Sequence, residues 1–161
     1  VTVTKYLRTV INAHRESRGE DPIPLKEFRV TVQDAMKLTN VPNEFASRYL
    51  NDGFSGGEKK RMEMLQLALQ QPEVAVLDET DSGLDIDALK IVSEGINEVG
   101  RERPEMGVLL ITHYQRILRY LTPDVVHIFV GGRIVESGGL ELAERLEKEG
   151  YEAFRGAEVT N

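Results

Sequence analysis

Two short stretches combine residue types and spacing that suit chemistry on phosphate. Ser55-Gly56-Gly57-Glu58 opens a run of helix-forming residues, so its glycines leave backbone N–H groups open to an anion, and Ser55 can cap the helix while turning its hydroxyl to a phosphate. Further on, the apolar run Val74-Ala75-Val76-Leu77 ends in Asp78-Glu79. A buried strand that delivers two carboxylates at its carboxyl end offers Mg2+ a partner in Asp78, usually through water. It offers in Glu79 a base that orients or deprotonates an attacking water. Together the two stretches point to hydrolysis of ATP, with Mg2+. Taken singly, each has a plainer reading: Ser55 with Glu58 is an S-x-x-E capping box, and two acids at a strand end can simply be solvated.

Their company decides between the readings. Thr80-Asp81-Ser82-Gly83-Leu84-Asp85 follows the acids directly, a polar turn whose acids could also cap the next helix. His113 comes straight after the second apolar run, Val108 to Thr112, at the same kind of strand end. His14 falls on an amphipathic helix and His127 on a hairpin strand, so both read as structural or exposed, and three scattered histidines with no cysteine make no metal site.

The elements that must position these residues are legible in the periodicity. Val3, Tyr6, Leu7, Val10, Ile11 and His14 share one helical face up to about Ser17; a polar loop holding Gly19, Pro22 and Pro24 follows. A second helix is expected from Leu25 to Leu38, a short helical turn around Glu44 to Leu50, and a third helix from Ser55 that stops before Pro72. From Glu73 the pattern changes. Val74 to Leu77 and Val108 to Ile111 are continuous apolar runs of the kind found in strands buried on both faces, and the helical segment Ala88 to Val99 between them implies a parallel crossover. Tyr114 to Leu121 reads as a helix. Val125 to Val130 and Arg133 to Ser137 flank Gly131-Gly132, a hairpin signal, before a charged helix from Leu140 to Lys148. The fold class is α/β, parted near Pro72 into a helical region, 1–72, and a strand-bearing region, 73–161.

Composition excludes several classes. In 161 residues, 40% hydrophobic content supports a core, and no apolar stretch approaches the length that spans a bilayer, so no direct membrane insertion is expected. A net charge of -7, with Lys59-Lys60-Arg61 the only local basic cluster, argues against a nucleic-acid partner. The lack of cysteine fits a reducing, cytoplasmic setting.

Phe54-Ser55-Gly56-Gly57-Glu58 resembles the signature sequence of the ATP-binding-cassette (ABC) ATPases, usually written L-S-G-G-Q, with Phe for Leu and Glu for Gln. Asp78-Glu79 resembles the end of their Walker-B strand, Thr80 to Asp85 their D-loop and His113 their switch histidine, in the family's order. The resemblance implies a P-loop NTPase-like fold: a helical subdomain with the signature helix, then the C-terminal half of the parallel-sheet core and a terminal hairpin. It implies Glu79 and His113 as catalytic residues and Asp78 as the metal residue. Ser55, Gly56, Gly57 and Glu58, with Asp81, Ser82, Gly83 and Asp85, would bind nucleotide at an ATP-dependent interface with a second ATPase subunit.

Within that family, Phe54 to Arg61, Leu77 to Lys90 and Thr112 to Leu118 look like SufC, the ATPase branch of the Suf iron–sulfur-cluster assembly system. This implies a cytoplasmic subunit that binds SufB-like and SufD-like scaffold proteins and drives their rearrangement with ATP. The Gly-rich phosphate loop such an enzyme needs is not in the 161 residues, so the chain is expected to be the C-terminal portion of a longer protein and inactive alone. Two other readings stand beside it: an ABC transporter ATPase subunit, and a non-catalytic scaffold-binding module. Lys59 or Lys60 is expected to pair with Glu79 in the resting subunit.

Overall fold

Val3, Leu7 and Ile11 recur at helical spacing and form the buried stripe of α1 (Val3–Ser17) in a computed structural model that describes residues 1–155. Phe28, Val32, Ala35 and Met36 do the same for α2 (Leu25–Leu38), and Met62, Met64 and Leu65 for α3 (Gly56–Gln70). Between α2 and α3 a 3-10 turn, Asn43–Ser47, buries Phe45. Apart from Met64, which meets Gly95, these stripes meet in one apolar core with Ile23, Val41 and Phe54. The expected all-helical opening is therefore what forms. α3 ends where Gln71 adopts a left-handed conformation (φ 48°) and returns its amide to the Leu67 carbonyl, ahead of Pro72.

The first strand, β1 (Val74–Asp78), pairs in parallel with β2 (Gly107–Ile111), and α4 (Ile86–Glu102) makes the connection between them. One face of this two-stranded sheet is covered: Ala75 packs with Val99 and Met106, and with Leu67 and Ala68 of α3. The other is not. Val76 and Leu109 are direct neighbours in the register and are 60% and 50% exposed, with Val74 and Ile111 beside them. The expectation of strands buried on both faces is thus corrected to one covered and one bare face. Both faces are apolar in sequence, so the period-2 alternation that would distinguish them is missing.

The described residues form two compact units, Val1–His113 and Tyr114 onward. The change from helical to strand periodicity near Pro72 is real, but the core of Ala75, Val99, Leu67 and Ala68 runs across it. In the second unit, the helix expected over Tyr114 to Leu121 is a 3-10 turn, Gln115–Arg119. β3 (Val126–Val130) and β4 (Arg133–Gly138) then form an antiparallel hairpin with a bulge at Ile128/Phe129. Its turn residues Gly131 and Gly132 both have positive φ (57° and 82°), as a two-residue primed turn requires. Ile128 of the hairpin, Leu142 of α5 (Leu140–Glu149) and Phe154 of α6 (Glu152–Arg155) make the core of this unit. No described helix is long and apolar enough to cross a membrane.

Candidate functional site

The carboxyl ends of β1 and β2 bring the acids and the histidine together. Asp78 lies opposite Ile111 in the last register pair and is exposed. The Glu79 amide donates to the Ile111 carbonyl at 2.9 Å, one step beyond the strand, and there the backbone turns into the left-handed region (φ 46°). A residue with a Cβ is held in that region only by its surroundings, and such sites cluster where function needs a particular direction. The turn is closed by the Ser82 amide, which donates to the Glu79 carbonyl at 3.0 Å. It leaves Glu79 Oε1 3.2 Å from Nδ1 of His113, with both side chains about half exposed.

Beneath that pair is a buried one. Asp81 is fully buried, and its two carboxylate oxygens lie 2.9 and 3.0 Å from the Thr112 hydroxyl, which donates to them. Gly83 supplies a positive φ (70°) to the same turn, and Asp85 accepts from the Ala88 amide at 2.7 Å as the N-cap of α4. The capping role weighed for this turn therefore belongs to Asp85.

The signature residues start α3 as the sequence leads one to expect. The Glu58 amide donates to Ser55 Oγ at 3.2 Å and the Ser55 amide donates to Glu58 Oε2 at 2.7 Å, a complete capping box. Arg48 donates to Glu58 Oε1 at 2.9 Å while its guanidinium lies 4.6 and 4.4 Å from the ring centres of Phe45 and Phe54. The Ser55 amide first, and then the Arg48 guanidinium, hold the Glu58 carboxyl below its ordinary range.

The two glycines differ. Gly56 faces open space, whereas a Cβ on Gly57 would come within 3.2 Å of the Ala88 Cβ on α4. About two turns further along both helices, Gly95 of α4 meets Met64 of α3, so the helices run parallel with their N-termini side by side. Ser55 and Asp85 thus open neighbouring helices. Gly57→Ala is expected to lower stability by about 1 kcal/mol, because the crowding outweighs the gain in helix propensity. Gly56→Ala should hold or raise the melting temperature, and thermal unfolding of the two variants checks both.

Glu79, His113 and the turn from Asp81 to Asp85 are assembled by one pair of strand ends. Ser55 to Glu58 are partnered by Arg48 and, through Gly57, by α4. The expected ammonium partner of Glu79 is replaced by an imidazole: Lys60 turns along its own helix to Glu63 at 3.0 Å. His14 and His127 are both exposed, the latter 2.7 Å from the Ser137 hydroxyl. Thr112 and Arg48 escaped the sequence reading. The first had a signal in its position directly before His113; the second, a lone arginine in a loop, had none. Among the described residues no three His, Cys, Asp or Glu are placed to hold a metal ion by themselves; a divalent cation on Asp78 would take its other ligands from phosphate and water, a donor set that suits Mg2+.

No family model matches the chain. It is similar to Vegetative protein 296 of Bacillus subtilis strain 168, at 56% identity over 94% of this chain and 57% of that protein. It is similar also to a probable ABC transporter ATP-binding protein of Streptococcus pyogenes serotype M18, at 52% identity over 94% of this chain and 57% of the relative. A probable ATP-dependent transporter of Synechocystis sp. PCC 6803 is 48% identical over 91% of this chain and 57% of its own length. In structure the chain resembles a bacterial ABC transporter cassette solved as a dimer, with a TM-score of 0.69 over 87% of this chain and 58% of that one, at 16% identity. The structural likeness shows a mixed α/β fold shared with that cassette. The chain spans 57% of the length of these curated relatives.

Proposed function

We propose that this chain is part of an ABC ATPase subunit, and that the whole subunit hydrolyses ATP to rearrange an iron–sulfur-cluster assembly scaffold. The observation that carries the ATPase reading is the approach of His113 Nδ1 to Glu79 Oε1, 3.2 Å apart at the carboxyl ends of two parallel strands. Glu79 accepts the proton of an attacking water or orients it, and His113 beside it would contact the terminal phosphate. Asp78 would hold Mg2+, which supplies neutralisation of charge on the phosphates when bound. Ser55 and the backbone N–H groups of Gly56 and Gly57 offer an anion site at the start of α3 to nucleotide held by a second subunit.

The scaffold reading rests on the wording of the motifs: Glu58 in place of Gln after the glycines, and Asp78-Glu79-Thr80-Asp81-Ser82-Gly83-Leu84-Asp85. SufB-like and SufD-like proteins are the partners it names. A second reading, an ABC transporter ATPase with a membrane permease as partner, is favoured by the names of the Streptococcus and Synechocystis relatives. Affinity purification of a polypeptide of the relatives' full length separates them: soluble scaffold proteins co-purify under the first reading, a membrane permease under the second. The isolated chain should bind MgATP with a Kd weaker than about 1 mM, since a phosphate-loop nest and lysine supply most of the grip on phosphate. Calorimetric titration showing sub-millimolar binding would overturn that expectation.

A further inference from the structure

We infer that Asp81 and Thr112 form a buried link that positions His113 against Glu79, which makes both of them positioning residues for the hydrolytic pair. The inference rests on the ATPase reading above for its functional meaning and on the geometry for its existence.

The side-chain ties between the two loops that carry the site include an outer and an inner one. The outer tie is Glu79 to His113, about half exposed on both sides. A polar contact in that setting is too weak to hold its own geometry, because water competes for both groups and two side chains must be ordered to make it. The inner tie is Asp81 to Thr112, where the carboxylate has no exposed surface. Burying a carboxylate is unfavourable unless hydrogen bonds satisfy it, so a buried acid in a surface turn is tolerable only where those bonds are made and kept. Thr112 is β-branched, with few side-chain rotamers, so a hydroxyl fixed on Asp81 also fixes the backbone from which the next residue, His113, projects. Asp81 in turn lies two residues beyond Glu79, inside the turn closed by the Ser82 amide on the Glu79 carbonyl. The rigid inner tie thus sets the relative position of the two residues that the weak outer tie cannot.

The test uses the polypeptide of the relatives' full length. Thr112→Val keeps the shape and removes the donor; Thr112→Ser keeps the donor. For Thr112→Val, kcat should fall about tenfold to a hundredfold with KM unchanged within about twofold, since the loss is one of alignment rather than of nucleotide binding. Thr112→Ser should restore most of the turnover. Combining Thr112→Val with Asp81→Asn should cost no more than the worse single change, as for two residues acting through one bond. Without nucleotide, the imidazole NMR signals of His113 should move in Thr112→Val and stay near their wild-type places in Thr112→Ser. A Thr112→Val protein that melts earlier but keeps kcat and the wild-type imidazole signals would overturn the link, as would fully additive losses. Should Thr112→Val fail to fold, the isosteric Asp81→Asn takes its place, with moved imidazole signals supporting the link and unmoved signals overturning it. A wild-type protein without ATPase activity would overturn the ATPase reading alone, because the imidazole signals judge the link without nucleotide.

Discussion

Glu79→Gln in a polypeptide of the relatives' full length is expected to lower ATP turnover by about 10²- to 10⁴-fold, the usual contribution of a positioned base, while ATP binding changes by no more than about threefold. The amide matches the carboxylate in shape and can keep a hydrogen bond to His113 Nδ1, which lies 3.2 Å from Glu79 Oε1. What it loses is the ability to take a proton. Asp78, the residue proposed for the metal, is untouched, so nucleotide should remain bound and an ATP-stabilised dimer should accumulate. Steady-state hydrolysis, equilibrium nucleotide binding and size-exclusion chromatography with ATP read the three expectations. His113→Ala should also slow hydrolysis, by removing the imidazole 3.2 Å from the Glu79 carboxylate. Wild-type turnover in Glu79→Gln would remove the residue from its role.

The second large effect is expected from Ser55→Arg, which places a long cation at the N-terminus of α3. The capping box explains why a control is needed. Ser55 Oγ accepts from the Glu58 amide at 3.2 Å, so a replacement with no capping side chain loses a cap worth about 1 kcal/mol. Ser55→Ala suffers the same loss without the bulk. If the start of α3 completes the nucleotide site of a second subunit, Ser55→Arg should reduce turnover to background while Ser55→Ala keeps a substantial part of it. Mixed with a subunit whose phosphate-loop lysine is replaced, Ser55→Arg should regain one composite site. That site would pair its own intact phosphate loop with the intact Ser55-Gly56-Gly57 of the other subunit. ATPase activity in the mixture no higher than in either variant alone, with heterodimers demonstrated, would rule out a shared site.

What could be read in the sequence followed the strength of local rules. The capping box at Ser55 and Glu58, the stripes of α1 and α2 and the Gly131-Gly132 turn each depend on neighbours a few residues away, and all are present. The candidate site was legible as a string of motifs, because Asp78, Glu79 and His113 end apolar runs and the sheet brings those ends side by side. Long-range facts were not legible. Gly57 looks interchangeable with Gly56 until Ala88 of α4 is seen against it. Nothing in the sequence ties Thr112 to Asp81, and the two meet only through the parallel register. The helix expected over Tyr114 to Leu121 settles as a 3-10 turn, Gln115–Arg119, that buries Ile117, a case of tertiary context overriding propensity.

The left-handed backbone at Glu79 sets stability and activity against each other at one residue. Glycine occupies that region without penalty, whereas a residue with a Cβ gives up roughly 1 kcal/mol or more there. Selection for heat resistance alone would therefore favour the one substitution that removes the proposed base, and would record it as an improvement. A programme of directed evolution or consensus stabilisation on this protein has to hold position 79 fixed and seek its gains away from the residues proposed to meet nucleotide.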